Sequence, residues 1–82
     1  MLVIKYFASL RETLGLEQEK IDFVEGDSIR DIQLMLSSRS PDWSKNIMDS
    51  ELIVSLNQEV VDLSELVSNG DEIAFFPPVT GG

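Results

Sequence analysis

The sequence lacks cysteine and histidine throughout its 82 residues. This excludes disulfide bonds, thiolate nucleophiles, Ser-His and Cys-His catalysis and the usual zinc sites, because each of them needs one of these side chains. Any covalent chemistry must therefore use a hydroxyl group, a carboxylate, an amine or a chain terminus. No acid–base pair stands out among the 15 carboxylate side chains, which scatter over predicted turns and helix faces.

Long apolar runs are also missing, since no stretch approaches the roughly 20 residues that cross a bilayer. The opening residues MLVIKYFASL do not combine a basic region with a long apolar run, so no signal peptide is expected. The expectation is a cytoplasmic protein that does not associate with membranes.

Basic residues are few, with 6 lysines and arginines against 15 acidic residues and a net charge of −9. Such a chain is not expected to bind nucleic acid, whose phosphates would repel it. The acidity favours solubility and fast encounter with a basic protein, and the sequence leaves open which of the two it serves. The 43% of hydrophobic residues argues against disorder, and the length suits one small domain.

Alternation of residue type along the chain predicts five strands. They are expected over residues 2–8, 18–23, 52–56, 60–61 and 72–76. The predicted inward residues are Leu2, Ile4, Tyr6, Leu52, Val54, Leu56, Ile73 and Phe75. The same alternation puts Phe7, Ile53, Ser55 and Phe76 on the outer face of the sheet.

One amphipathic helix is predicted after the second strand. Ser28 can cap it together with Asp31, and Ile29, Ile32 and Leu36 form an apolar stripe at helical spacing. Shorter helical segments are predicted over residues 9–14 and residues 42–48, the latter anchored by a packed Trp43. One main helix against one face of a mixed sheet defines an α+β domain.

The two ends of the chain resemble a known family. The closing run NGDEIAFFPPVTGG at residues 69–82 and the opening run YFASLRE at residues 6–12 are similar to the small subunits of molybdopterin synthase, which are ubiquitin-like sulfur carriers. The run VSLNQE at residues 54–59 is also similar, whereas residues 37–50 match weakly and receive no role. The resemblance implies the β-grasp fold over residues 1–77 and a flexible Gly-Gly tail over residues 78–82.

The resemblance further implies that the C-terminal carboxylate of Gly82 is the reacting group. An adenylyltransferase similar to ubiquitin-activating enzymes would adenylate it with ATP, and a sulfur donor would convert it to a thiocarboxylate. The large synthase subunit would be the partner in a heterotetramer and would contain the catalytic residues. It would use the sulfur to make the dithiolene of molybdopterin from cyclic pyranopterin monophosphate. No bound cofactor or metal is expected, and a chain without cysteine cannot carry sulfur as a thiol or persulfide.

Residues that contact the partner are expected in the tail and at its base. They are Pro77, Pro78, Val79, Thr80 and Gly81, with Phe7, Phe76 and Val60 on the sheet and Arg11 beside it. If the first and last strands are neighbours, the two phenylalanine rings form an exposed apolar patch, which usually marks an interface. For Arg11, a surface salt bridge remains as good an interpretation as a partner contact.

Three alternatives remain open at this point. The chain could carry sulfur for another pathway, such as thiamine thiazole synthesis, although the Phe-Phe-Pro-Pro run at residues 75–78 argues against this. It could be a protein modifier that forms an isopeptide bond with lysine through Gly82. It could also be a binding module in which the tail has no role.

Overall fold

A computed structural model describes residues 1–78, which form one mixed sheet and three helices. The strands are β1 (Leu2–Tyr6), β2 (Gln18–Ile21), β3 (Ile53–Leu56), β4 (Glu59–Val60) and β5 (Glu72–Phe76). The helices are α1 (Ser9–Leu14), α2 (Ile29–Ser37) and α3 (Pro41–Ile47). No helix within the described part of the chain has the length and apolar character needed to span a bilayer.

The sheet places the first and last strands side by side at its centre, in the order β2-β1-β5-β3-β4. β1 and β5 run parallel, with Ile4 opposite Ile73 and Tyr6 opposite Phe75, while the other pairs are antiparallel. The predicted adjacency of the first and last strands is therefore confirmed. It matters for function because the residues after Tyr6 and Phe75 must then lie next to each other on the opposite face.

The core lies between α2 and the inward face of the sheet. The predicted stripe of α2 is buried, as are most of the predicted inward strand residues, and Leu52 and Leu56 are partly buried against this core. The buried residues are Leu2, Ile4, Tyr6, Ile29, Ile32, Leu36, Val54, Ile73 and Phe75. The core cluster contains four further buried apolar residues that were not in the predicted core, namely Leu10, Ile21, Ile47 and Val67.

The start of α2 follows the predicted capping box. The Ser28 hydroxyl accepts a hydrogen bond from the Asp31 backbone N–H at 3.3 Å, and the Ser28 backbone N–H donates to the Asp31 carboxylate at 2.9 Å. These bonds satisfy backbone donors that have no partner within the helix. The bond from the Ser28 backbone N–H, together with a 3.0 Å bond from the Ser28 hydroxyl, also holds the pKa of the Asp31 carboxyl below its usual value, because both favour the ionised form.

Several predicted boundaries are wrong by one or two residues. The return strand is Glu59–Val60 and not residues 60–61, because Asn57 and Gln58 both adopt positive φ angles, of 51° and 73°, and close a two-residue turn. Pairing then begins at once, with Leu56 opposite Glu59. The first two strands end earlier than predicted, at Tyr6 and Ile21.

The third helix also differs from its predicted span. It begins at Pro41, one residue before the predicted start, because the Ser40 hydroxyl caps it by accepting from the Trp43 backbone N–H at 3.3 Å. It ends at Ile47, which is fully buried and provides a second apolar anchor beside Trp43.

Candidate functional site

Two phenylalanine rings form a patch on the outer face of the sheet. Phe7 follows β1 and Phe76 ends β5, and their rings stack with centroids 4.7 Å apart and planes 8° from parallel. Phe7 is 38% exposed, and Phe76 is partly buried. The predicted apolar patch is therefore present, and we call these two rings the aromatic patch.

A shallow depression of about 290 Å³ lies beside the rings. Two small residues lie in its lining, Ser55 of β3 and Ala74 of β5, which face each other in the sheet and are only 5% and 4% exposed. The prediction that Ser55 is on the outer face agrees with this position. Its burial was not predicted, because the sequence does not show which side chains of adjacent strands lie beside it.

The rim of the depression combines apolar and charged groups. Val60 on β4 is 75% exposed, and Lys5 of β1 forms an ion pair with Glu72 of β5 at 3.1 Å. The lining also includes Gln58 of the β3–β4 turn. An apolar centre with a polar rim is the usual arrangement of a protein-binding surface.

The backbone around Phe7 is held firmly. The Phe7 N–H donates to the Phe75 carbonyl at 3.1 Å, and the Phe7 carbonyl accepts from the Leu10 N–H at 3.1 Å. The next residue, Ala8, has a φ of 53°, which is a strained conformation for a residue with a Cβ atom. Nothing in the sequence signals this strain, which accompanies the abrupt change of direction from β1 into α1.

Arg11 forms a surface ion pair with Glu17. The distance is 3.8 Å, and both side chains are more than half exposed. Exposed pairs of this kind contribute little to stability, at most about 1 kcal/mol. The salt-bridge interpretation of Arg11 is thus supported, and its contact with a partner stays a prediction.

The base of the predicted tail follows the end of β5. Pro77 and Pro78 follow Phe76 directly and are partly buried. The expected roles of Val79, Thr80, Gly81 and Gly82, and with them most of the predicted tail, lie outside the described residues. Within residues 1–78, no cluster of three or more acidic side chains is placed to hold a metal ion.

The sheet order and the single main helix across one face define a ubiquitin-like β-grasp domain. Residues 4–82 match the model of the ThiS family, and the chain belongs to that family.

Individual relatives agree with this assignment. The chain is 39% identical to the molybdopterin synthase sulfur carrier subunit of Haemophilus influenzae and 33% identical to that of Escherichia coli, with all of both chains covered in each case. The crystal structure of SAMP1 from Haloferax volcanii is similar, with a TM-score of 0.83, 31% identity, and coverage of 99% of this chain and 98% of that one.

Proposed function

We propose that this chain is the sulfur carrier subunit of a molybdopterin synthase and that the carboxylate of Gly82 carries the sulfur. The observation that carries the proposal is the end-to-end match to relatives of that name from two bacteria. The fold supports it, because β5 ends at Phe76 in the aromatic patch and Pro77 and Pro78 follow directly. A partner that binds the patch would therefore meet the base of the tail.

The chemistry needs an activated terminus. A carboxylate is a poor electrophile because its oxygen is a poor leaving group. In the proposed sequence an adenylyltransferase transfers AMP from ATP to the Gly82 carboxylate with release of pyrophosphate. Sulfur delivered by a donor at the sulfide oxidation level then attacks the acyl adenylate, so that a C–S bond forms, the bond to AMP breaks and AMP leaves. The product is a thiocarboxylate, which is a good sulfur nucleophile. Glycine suits both steps because it has no side chain to hinder approach.

The second half of the cycle takes place in the partner. The large subunit supplies the catalytic residues and receives the thiocarboxylate, whose sulfur goes into the dithiolene of molybdopterin. Residues 77–82 span roughly 20 Å when extended, enough to reach a buried site from the domain surface. Pro77 and Pro78 limit the conformations of the base of the tail, which lowers the entropy lost on insertion. In this proposal the reaction takes place in the cytoplasm.

A second candidate function is that of a protein modifier. It is favoured by the structural similarity to small archaeal modifier protein 1 of Haloferax volcanii, which is also 36% identical in sequence. A modifier would use the activated Gly82 carboxylate to form an isopeptide bond with a lysine. Intact mass separates the two functions, since a carrier gains about 16 Da when sulfur replaces oxygen and a modifier gains a second protein.

Deletion of Gly82 tests the carrier mechanism directly. The deletion shortens the tail by roughly 3.3 Å, and a misplacement of about 1 Å can already cost 100-fold in rate. Molybdopterin formation in a reconstituted synthase should be abolished, while the melting temperature stays that of the full chain.

A variant with one serine appended after Gly82 serves as the matched control. It keeps every native residue but converts the reacting carboxyl into an amide, so it should be equally inactive and equally stable. Product formation at the normal rate by the deletion variant would refute the mechanism.

A further inference from the structure

A second concave surface lies at the β4 edge of the sheet, on the side of α2. This groove has a volume of about 580 Å³, within the range of sites that bind ligands. Its lining includes Arg30 and Gln33 of α2, Asp49 from the loop before β3, Val60 of β4 and Asp62 just after it. We call it the β4-edge groove.

Gln33 gives the groove a buried hydrogen-bond acceptor that is not in use. Its side chain is 3% exposed, and its Nε2 donates to the Ile47 carbonyl at 3.0 Å, which fixes the orientation of the amide. Within residues 1–78 its Oε1 receives no hydrogen bond. A buried acceptor without a donor is unfavourable and uncommon. A ligand that brings an N–H group into the groove would correct this.

The charge around the groove points to a cationic ligand. No lysine or arginine follows Lys45 in the sequence. Residues 49–65 contain five acidic residues, Asp49, Glu51, Glu59, Asp62 and Glu65. Among the described lining residues, Arg30 alone is cationic, against Asp49 and Asp62. A lysine or arginine side chain supplies a positive charge that balances the net negative lining and an N–H donor for the unpaired Gln33 acceptor.

The β4-edge groove is continuous with the site already described. Val60 lines both the groove and the depression beside the aromatic patch, and it is highly exposed. β4 has only two residues and is the outermost strand on this side of the sheet. A partner that covers the patch therefore needs to pass only this short strand to reach the groove.

We propose that the β4-edge groove binds an extended basic segment of the same protein that covers the aromatic patch. A lysine or arginine of that segment pairs with Asp49 and Asp62, and an N–H donor bonds Oε1 of Gln33 once docking has displaced the side chains that cover this atom. The inference rests on the proposed function, in which the partner that covers the aromatic patch is the large subunit of molybdopterin synthase. Contact on both sides of β4 would fix the orientation of the carrier while the tail is inserted.

The test measures binding of the purified large subunit from the same organism to the full chain by titration calorimetry. Asp49→Asn combined with Asp62→Asn should weaken binding about tenfold and reduce its dependence on salt, because two attractive charges are lost. Both side chains are exposed, and asparagine can still accept the hydrogen bond that Asp49 receives from the Glu51 N–H at 2.9 Å. Thermal melting checks that the variant is folded.

The matched control is Asp22→Asn combined with Glu25→Gln, which removes the same charge from exposed residues that do not line the groove. It should leave affinity within about twofold of the unchanged chain, since distant surface charges are screened. If both double variants weaken binding equally, or if neither does, the proposal that the groove binds the large subunit is wrong, while the proposed function is unaffected. Absence of binding by the unchanged chain would overturn both.

Discussion

The two faces of the sheet carry the same kind of aromatic pair, supplied by neighbouring residues of β1 and β5. On the face covered by α2, Tyr6 and Phe75 stack at 5.9 Å and are fully buried. On the outer face, Phe7 and Phe76 stack at 4.7 Å and are partly exposed. Successive residues of a strand point to opposite faces, so two dipeptides supply both pairs. The buried pair therefore belongs to the core, whereas the outer pair remains accessible at the surface.

The covered pair has a polar attachment that the outer pair lacks. The Tyr6 hydroxyl donates to the Glu19 carboxylate at 2.7 Å, and Arg39 donates two hydrogen bonds to the same carboxylate, each of 2.7 Å. The Arg39 guanidinium lies 4.5 Å from the centre of the Trp43 ring, which meets Tyr6 edge-on at 5.4 Å. This network ties β2 and the α2–α3 connection to the core, and it confirms the predicted packing role of Trp43.

The largest expected effect is a difference between the buried and the outer aromatic pair in their contribution to the free energy of unfolding. Phe75→Ala should lower the free energy of unfolding by about 3–5 kcal/mol, because it removes a fully buried ring from the core. Phe76→Ala should cost about 1 kcal/mol, since its ring is already partly in water. Urea denaturation of both variants measures the difference. Similar losses in the two variants would show that the outer pair is also structural.

The next largest effect concerns the contribution of the outer aromatic pair to binding of the large subunit. Phe76→Ala should weaken binding to the large subunit by about 2 kcal/mol, or roughly 30-fold, as expected for an aromatic residue at the centre of an interface. Leu34→Ala is the matched control, because Leu34 is 51% exposed but lies on α2, away from the outer face. Surface plasmon resonance can compare the two. A greater loss of affinity with Leu34→Ala would show that the interface lies on the α2 side of the domain.

Period-two alternation was sufficient to predict this arrangement of faces. It placed Phe7 and Phe76 outward and their neighbours inward, and the spacing of apolar residues in α2 gave the stripe that covers the core. The adjacency of β1 and β5 came from the resemblance to the β-grasp fold, because pairing between strands some 70 residues apart leaves no local signal. Fold and patch were therefore predictable together.

The features that were missed depend on tertiary contacts. Burial of Ser55 and Ala74 results from larger neighbours on adjacent strands, which the sequence does not place beside them. The link between Arg39 and Glu19 spans 20 residues and falls in the region where resemblance to the family is weak. The positive φ of Ala8 has no signal in residue type, since glycine or asparagine normally occupies such positions.

The smallest expected effect concerns the polar end of the covered pair. Burial raises the pKa of Glu19, but hydrogen bonds from Arg39 and Tyr6 and the charge of Arg39 outweigh it, so the pKa lies below its usual value. Burial and the bond to Glu19 raise the pKa of the Tyr6 phenol, which stays a donor. Because the carboxyl pKa is lower in the folded state, its stabilisation is present above about pH 4.3 and is lost as the pH falls through the folded value.

Glu19→Gln should therefore cost about 1 kcal/mol near pH 7, and the difference from the unchanged chain should shrink towards pH 3 as the native carboxylate is protonated. Urea unfolding at both pH values measures this. Glu17→Gln is the control, because the Glu17 side chain lies in the exposed 3.8 Å pair with Arg11 and its replacement should have little effect at either pH. If Glu19→Gln lowers the free energy of unfolding equally at both pH values, the contribution of Glu19 comes from side-chain packing and not from its charge.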